Sequence, residues 1–256
     1  RPALVSKLQT HQEIDFSADF ERFPIKSPQQ EIRAVVLQNG RWDNAVSGVA
    51  PLFVRLNTMM FDYQDKVVFP AGKEFRFLDF RSLRYRNEQI VSIDQFPDRF
   101  EVILGKEPKL SGKVYLNSRD INGNYVIETL DQDNANLASE YGQVLFSLYS
   151  PEPYYEEDVY LVGAFNSWQL MPEYKMVYNP AINGYVVRTP LKQGYYNYAY
   201  ALAPRKLPQT PAPLNLSEIE GDWYEAENEY TILLYYRPFG GRYDELVGSL
   251  SFSSTR

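Results

Sequence analysis

The chain is predicted to be all-β, two antiparallel sandwich domains in tandem. Three observations lead there: apolar residues recur with period two, turn dipeptides separate the runs, and no stretch carries an amphipathic helix longer than two turns. The runs 31–38 (EIRAVVLQ), 74–80 (EFRFLDF), 99–104, 113–116 (KVYL), 124–130 and 143–149 each read as a strand. Asn39-Gly40, Ala71-Gly72, Ser111-Gly112 and Asn122-Gly123 punctuate them, because Asn and Gly tolerate the left-handed backbone of tight turns. In 99–104, Phe100, Val102 and Leu104 share one face.

Around 150–157 the text becomes SPEPYYEE. Proline cannot donate to a strand ladder, so this stretch is the candidate linker, and the expected domains are 1–149 and 150–256. Further strands are expected at 158–163, 174–179, 184–189, 195–202, 230–236 and 246–252, with Asn183-Gly184 as a hairpin turn. Residues 203–222 hold four prolines and little periodicity and read as a long loop.

Composition narrows the chemistry. The 256 residues include 21 Tyr, a load that suits sheets, where the ring packs and the hydroxyl reaches water or a partner. The net charge of −7 and scattered Lys and Arg argue against nucleic acid, whose phosphates require clustered cations. No run approaches the length of a membrane helix, so direct membrane insertion is not expected. Cysteine is absent, which removes thiolate metal sites and thiol nucleophiles. The single histidine, His11, would have to serve any imidazole-based site, and it reads as a surface residue.

The remaining constellations favour plain readings. DINGNY (120–125) alternates oxygen ligands, but Tyr125 stands where a calcium loop turns on glycine, so a β-turn is expected. DQDNAN (131–136) fails in the same way at Ala135 and Asn136. Glu225, Glu227 and Glu229 share one face if extended and read as a solvated strand face rather than an acid–base pair. There is no GxSxG, phosphate-loop or dinucleotide fingerprint. The expectation is therefore a protein that is not an enzyme and uses no metal or cofactor.

The segment DVYLVGAFNSW (158–168), followed by LKQGYYNYAYAL (191–202), resembles the early-set immunoglobulin-like sandwiches, a group that includes glycogen- and starch-binding modules. That likeness implies an early-set immunoglobulin-like sandwich for 150–256, and the expected fold of the chain is two tandem immunoglobulin-like antiparallel β-sandwich domains. It also opens one alternative function, glycan binding by stacking on Trp168, Tyr196 and Tyr198. The second aromatic of such modules falls where this chain reads LAPRKLPQT, so Trp168 is expected to be mainly a packing residue.

Further stretches resemble a narrower family. VLQNGRWDNAV (36–46), FPAGKEFRFLDF (69–80) with DINGNY, YLVGAFNSW, LKQGYYNYAY, EAENEY (225–230) and YYRPFGGRYDELVG (235–248) are similar, in the same order, to the plug protein of the Bacteroidetes type IX secretion system. The resemblance implies an exported, periplasmic protein associated with the outer membrane. Its partner would be the translocon barrel, whose pore it closes when no substrate is present. It also implies an earlier β-domain, with residues 1–15 as the join to it. A monomer is expected.

Docking calls for aromatic or Arg anchors with a polar rim. The candidates are Arg41 and Trp42, Trp223 and Tyr224, and Arg237, Arg242 and Tyr243. The plainer alternatives are that Trp42 anchors a core and that Arg242 only pairs locally with Asp244.

Overall fold

A computed structural model describes Pro2, residues 4–206 and residues 214–255. Strand accounts for 45% of the chain and helix for 9%, so the chain is all-β, built from several antiparallel sheets. Among the described residues, no helix is long and apolar enough to cross a membrane.

The chain divides into two compact units, but not at the expected place. One unit comprises residues 1–73 and 222–256; the other comprises 74–221. The expected break at 149/150 lies inside the second unit. There SPEPYYEE joins strand Tyr141–Tyr149 of one sheet to strand Glu157–Val162 of the other. A crossover between two sheets must leave both ladders, and it needs the same prolines and charges that a linker would. The pairing that closes the first unit is long-range: strand Glu229–Tyr236 lies antiparallel to Ile32–Gln38. Composition carries no trace of such a pairing.

The first unit packs a four-stranded sheet, in the order Glu245–Ser253, Glu229–Tyr236, Ile32–Gln38, Arg41–Val49, over the smaller sheets formed by Phe16–Asp19, Thr58–Phe61 and Phe53–Arg55 and by His11–Glu13 with Val68–Pro70. Ile32, Ala34, Val36, Tyr230 and Ile232 point into its core against Met59, Phe61, Val67 and Phe69. Asn39 (φ 55°) and Gly40 (φ 67°) take the left-handed turn between strands 32–38 and 41–49, as the dipeptide predicts. The N-terminal residues 11–13 are thus a strand of this unit, paired with 68–70.

The second unit stacks a five-stranded sheet on a four-stranded one. The first has the order Val177–Asn179, Gly184–Lys192, Tyr141–Tyr149, Phe100–Leu104, Ile90–Gln95. One of its pairs, 100–104 with 141–149, is parallel. The second sheet is built around Gly194–Pro204, flanked by Tyr125–Ile127, Glu157–Val162 and Arg76–Asp79. Strand 194–204 shows the period-two logic plainly. Tyr196, Tyr198, Tyr200 and Leu202 enter the core between the sheets. On the opposite face Ala199, Ala201 and Ala203 leave room for a second small cluster with Tyr160, Val162 and Trp168. Residues 113–116, expected as a strand, run without regular structure, and Val114 and Leu116 stay exposed. Part of the long loop expected at 203–222, residues 207–213, lies outside the described residues. The 217–220 stretch beyond it is a helical turn.

A buried polar network sits in this unit. Arg76 enters from strand 76–79 beside the wholly buried Leu78. Its Nε donates to both carboxylate oxygens of Glu220 at 3.0 and 2.9 Å, and its Nη atoms donate to Glu107 and to the Pro108 carbonyl. The Glu220 carboxylate also accepts the Tyr200 backbone N–H at 2.8 Å. Burial alone would lower the Arg76 pKa, but Glu220 and Glu107 more than offset it and hold the guanidinium charged. This one side chain ties together three segments distant in sequence, 76–79, 105–108 and 217–220, and Glu220 extends the network to Tyr200.

Candidate functional site

The outer face of the four-stranded sheet in the first unit carries a groove of about 420 Å³. Its floor follows from strand alternation. While Ile32, Ala34 and Val36 turn inward, Arg33 and Val35 turn outward. Across the ladder Arg33 lies opposite Tyr235, and Val35 lies opposite Leu233. Tyr235 is in turn opposite Leu246, so one row runs Arg33, Tyr235, Leu246 across three strands. Trp42, 62% exposed, and the Arg237–Asp244 pair form the walls. The pair is bidentate at 2.8 and 2.6 Å and bridges the base of the 237–244 turn, which presents Phe239, Arg242 and Tyr243 to solvent. Contact with Asp244 raises the Arg237 pKa through hydrogen bonding and charge. Glu31 lines one end, and its carboxylate accepts the backbone N–H groups of Lys26, Ser27 and Phe239. The hydrogen bond from Ser27 is the largest cause of its lowered pKa.

Four of the predicted docking residues therefore gather in one region: Trp42, Arg237, Arg242 and Tyr243. Trp42 is exposed rather than a core anchor, and Asp244 pairs with Arg237 rather than with Arg242. Arg41 is a correction. It is 5% exposed, with Nε and Nη2 locked onto Asp43 at 3.0 and 2.6 Å, because the residue beside the hairpin turn faces inward while Trp42 faces out. Trp223 and Tyr224 lie elsewhere in the unit and are half-buried. Their backbone N–H groups donate to the carbonyls of Gly72 and Gln9, and their side chains both donate to Glu225. Arg33 and Tyr235 were not among the predicted residues. The signal available for Arg33 was a charged residue alternating with Ile32 and Ala34.

The glycan platform is the second correction. Tyr196 and Tyr198 are each 2% exposed and Trp168 is 7% exposed. Their faces are covered: Tyr198 by Phe146 at 5.0 Å between ring centroids, Trp168 by Phe75 at 5.4 Å. Burial pushes the Tyr196 and Tyr198 hydroxyls far above the ordinary phenol range. A sugar cannot stack on rings that the core already covers. Trp168 packs as expected, on the alanine face of strand 194–204.

The other sequence-level candidates resolve locally. His11 belongs to strand 11–13, its Nδ1 is 2.8 Å from the Thr10 hydroxyl, and burial is the main cause of its lowered pKa. Asp120 accepts the Phe75 and Asn122 N–H groups and closes a turn in which Asn122 and Gly123 have positive φ. The Asp131 carboxylate accepts from Leu83, Ser82 and Gln193. Of the three glutamates, only Glu229 lies in a strand, and Glu227 accepts from Ser253. Among the described residues no group of three or more His, Asp or Glu could hold a metal ion.

No family model matches this chain. No curated protein matches it either. It is similar to a hypothetical protein from Parabacteroides merdae ATCC 43184, known from a crystal structure. The two share 32% sequence identity and superpose with a TM-score of 0.89 over 96% of this chain. The chain spans 61% of the length of that protein.

Proposed function

We propose that this chain is a non-catalytic recognition module, and that it serves as a periplasmic plug on the type IX translocon, closing the barrel when no substrate occupies it. The observation that carries the recognition reading is the outer sheet face of the first unit. There an exposed Trp, a Tyr and two Arg side chains line one groove on a rigid sheet. Aromatic and Arg side chains are the usual anchors of protein interfaces, and a sheet fixes their backbone in advance, so that only side-chain ordering remains to be offset on binding. The translocon as partner is supported by the family-like motifs that run along the chain in order. Two of those motifs, VLQNGRWDNAV and YYRPFGGRYDELVG, contribute Trp42, Tyr235, Arg237 and Asp244 to the groove. A gate must leave when cargo enters, so the interface should be modest and partly polar, on the order of 1,000–2,000 Å².

The test is affinity purification of the full-length protein from its native envelope, paired with deletion of its gene. The translocon barrel should co-purify. The deletion should leave the outer membrane leaky to large antibiotics while secretion continues, since the pore loses its stopper and keeps its channel. A tight envelope with no barrel in the eluate would overturn the plug assignment.

A further inference from the structure

The groove is rich in hydrogen-bond donors and poor in free acceptors. Arg33 uses only Nη1, which donates to the carbonyls of Gln29 and Ile32. Its Nε and Nη2, the Trp42 indole N–H and the Tyr235 hydroxyl have no partner among the described residues. Arg33 also forms no ion pair there. On the acceptor side, the Glu31 carboxylate is taken up by three backbone N–H groups, and the Asp244 carboxylate by Arg237. The charges of the lining balance, Arg33 and Arg237 against Glu31 and Asp244, but Glu31 is held by backbone N–H groups and Asp244 by Arg237, which leaves the Arg33 guanidinium as the charged group without an ionic partner among the described residues. A site with spare donors and an uncompensated guanidinium selects a ligand that brings acceptors and negative charge.

We propose that this groove binds an acidic, extended peptide segment of a partner protein. One Asp or Glu carboxylate of the segment would be held by Arg33 and the Tyr235 hydroxyl, and a neighbouring apolar side chain would lie on the Trp42 ring. A planar fork matches a carboxylate with two parallel hydrogen bonds, which gives geometry as well as attraction. The exposed indole supplies the apolar contact and, through its N–H, a bond to a peptide carbonyl. Arg237, already paired with Asp244, forms the wall and adds little net field. This inference rests on the recognition reading, but it names the chemistry of the partner segment and not its source.

The experiment uses the full chain and a library of fluorescent, end-blocked pentapeptides in which the central residue is fixed as Asp, Glu, Asn, Gln or Lys and the flanking positions are mixed. Anisotropy should show the Asp or Glu pools binding at least about tenfold more tightly than the Asn, Gln and Lys pools, with the preference shrinking as salt rises. Arg33→Gln should erase the preference, and Trp42→Ala should weaken all pools alike. Both side chains point to solvent, so unchanged thermal midpoints are expected and serve as the folding control. Equal binding of all pools, a Lys preference, or an acidic preference that survives Arg33→Gln would overturn the proposal. So would binding of an acidic polysaccharide such as alginate in place of every peptide pool. If the acidic preference stands while no translocon co-purifies, the plug assignment fails and the groove chemistry does not.

Discussion

Arg76→Met is expected to destabilise the protein by about 3–5 kcal/mol, because it strands the Glu220 carboxylate among apolar side chains. Methionine keeps much of the side-chain length, so the loss reports on charge rather than on a cavity. The companion variant carries Arg76→Met and Glu220→Leu together. Replacing a buried ion pair by apolar groups of similar volume is often near neutral, so the double variant should recover most of the loss. Guanidinium unfolding measures both. A single variant within about 1 kcal/mol of the parent, or a double variant less stable than the single, would show that the network does not hold segments 76–79, 105–108 and 217–220 together in the way described.

The second large effect is at Trp168. Trp168→Ala should cost about 3–5 kcal/mol, the range for emptying a buried aromatic site. The ring sits against Phe75 and the alanine face of strand 194–204, and it passes so close to Gly123 that a Cβ there would lie 2.6 Å from it. The alanine face cannot collapse to fill the space, since the methyl groups of Ala199, Ala201 and Ala203 cannot extend into it. Thermal or denaturant unfolding reads the loss. A variant as stable as the parent that loses retention on immobilised polysaccharide would contradict the packing role and restore the glycan reading.

Most of the strand content was legible because period two needs only a dozen residues to declare itself. YYNYAYAL alternates openly, EIRAVVLQ and QVLFSLY are short apolar runs bounded by polar residues, and the strands of all three fall within a few residues of expectation. Strand Arg41–Val49 was missed because RWDNAVSGV mixes polar and small residues and bulges against its partner, which breaks the alternation. KVYL had the pattern but no ladder: burial in tertiary contacts, not alternation, decides whether such a run pairs. The division into units was hidden for a different reason. It depends on residues 32–38 meeting 229–236, and no local feature of either run announces the other.

The site was half legible. Trp42 and Arg237 were legible as residues at loop tips between strand runs, where exposed recognition residues concentrate. Arg33 and Tyr235 were missed because their importance is a matter of register: they are cross-strand neighbours on the outer face of a pair separated by nearly the whole chain. Tyr196 and Tyr198 share a face by alternation, but alternation alone does not say whether that face meets solvent or a second sheet.

The central claim is that the outer face around Trp42 is where this protein meets the translocon. A photo-reactive amino acid placed at position 42 of the full-length protein, expressed in its native cells, tests that most directly, with a second copy of the experiment at Val114, an exposed residue of the other unit. The expected result is a light-dependent adduct between position 42 and the translocon barrel, lost in the Arg33→Gln background and absent from position 114. An adduct from position 114 alone, or none from position 42 while the barrel still co-purifies, would contradict it.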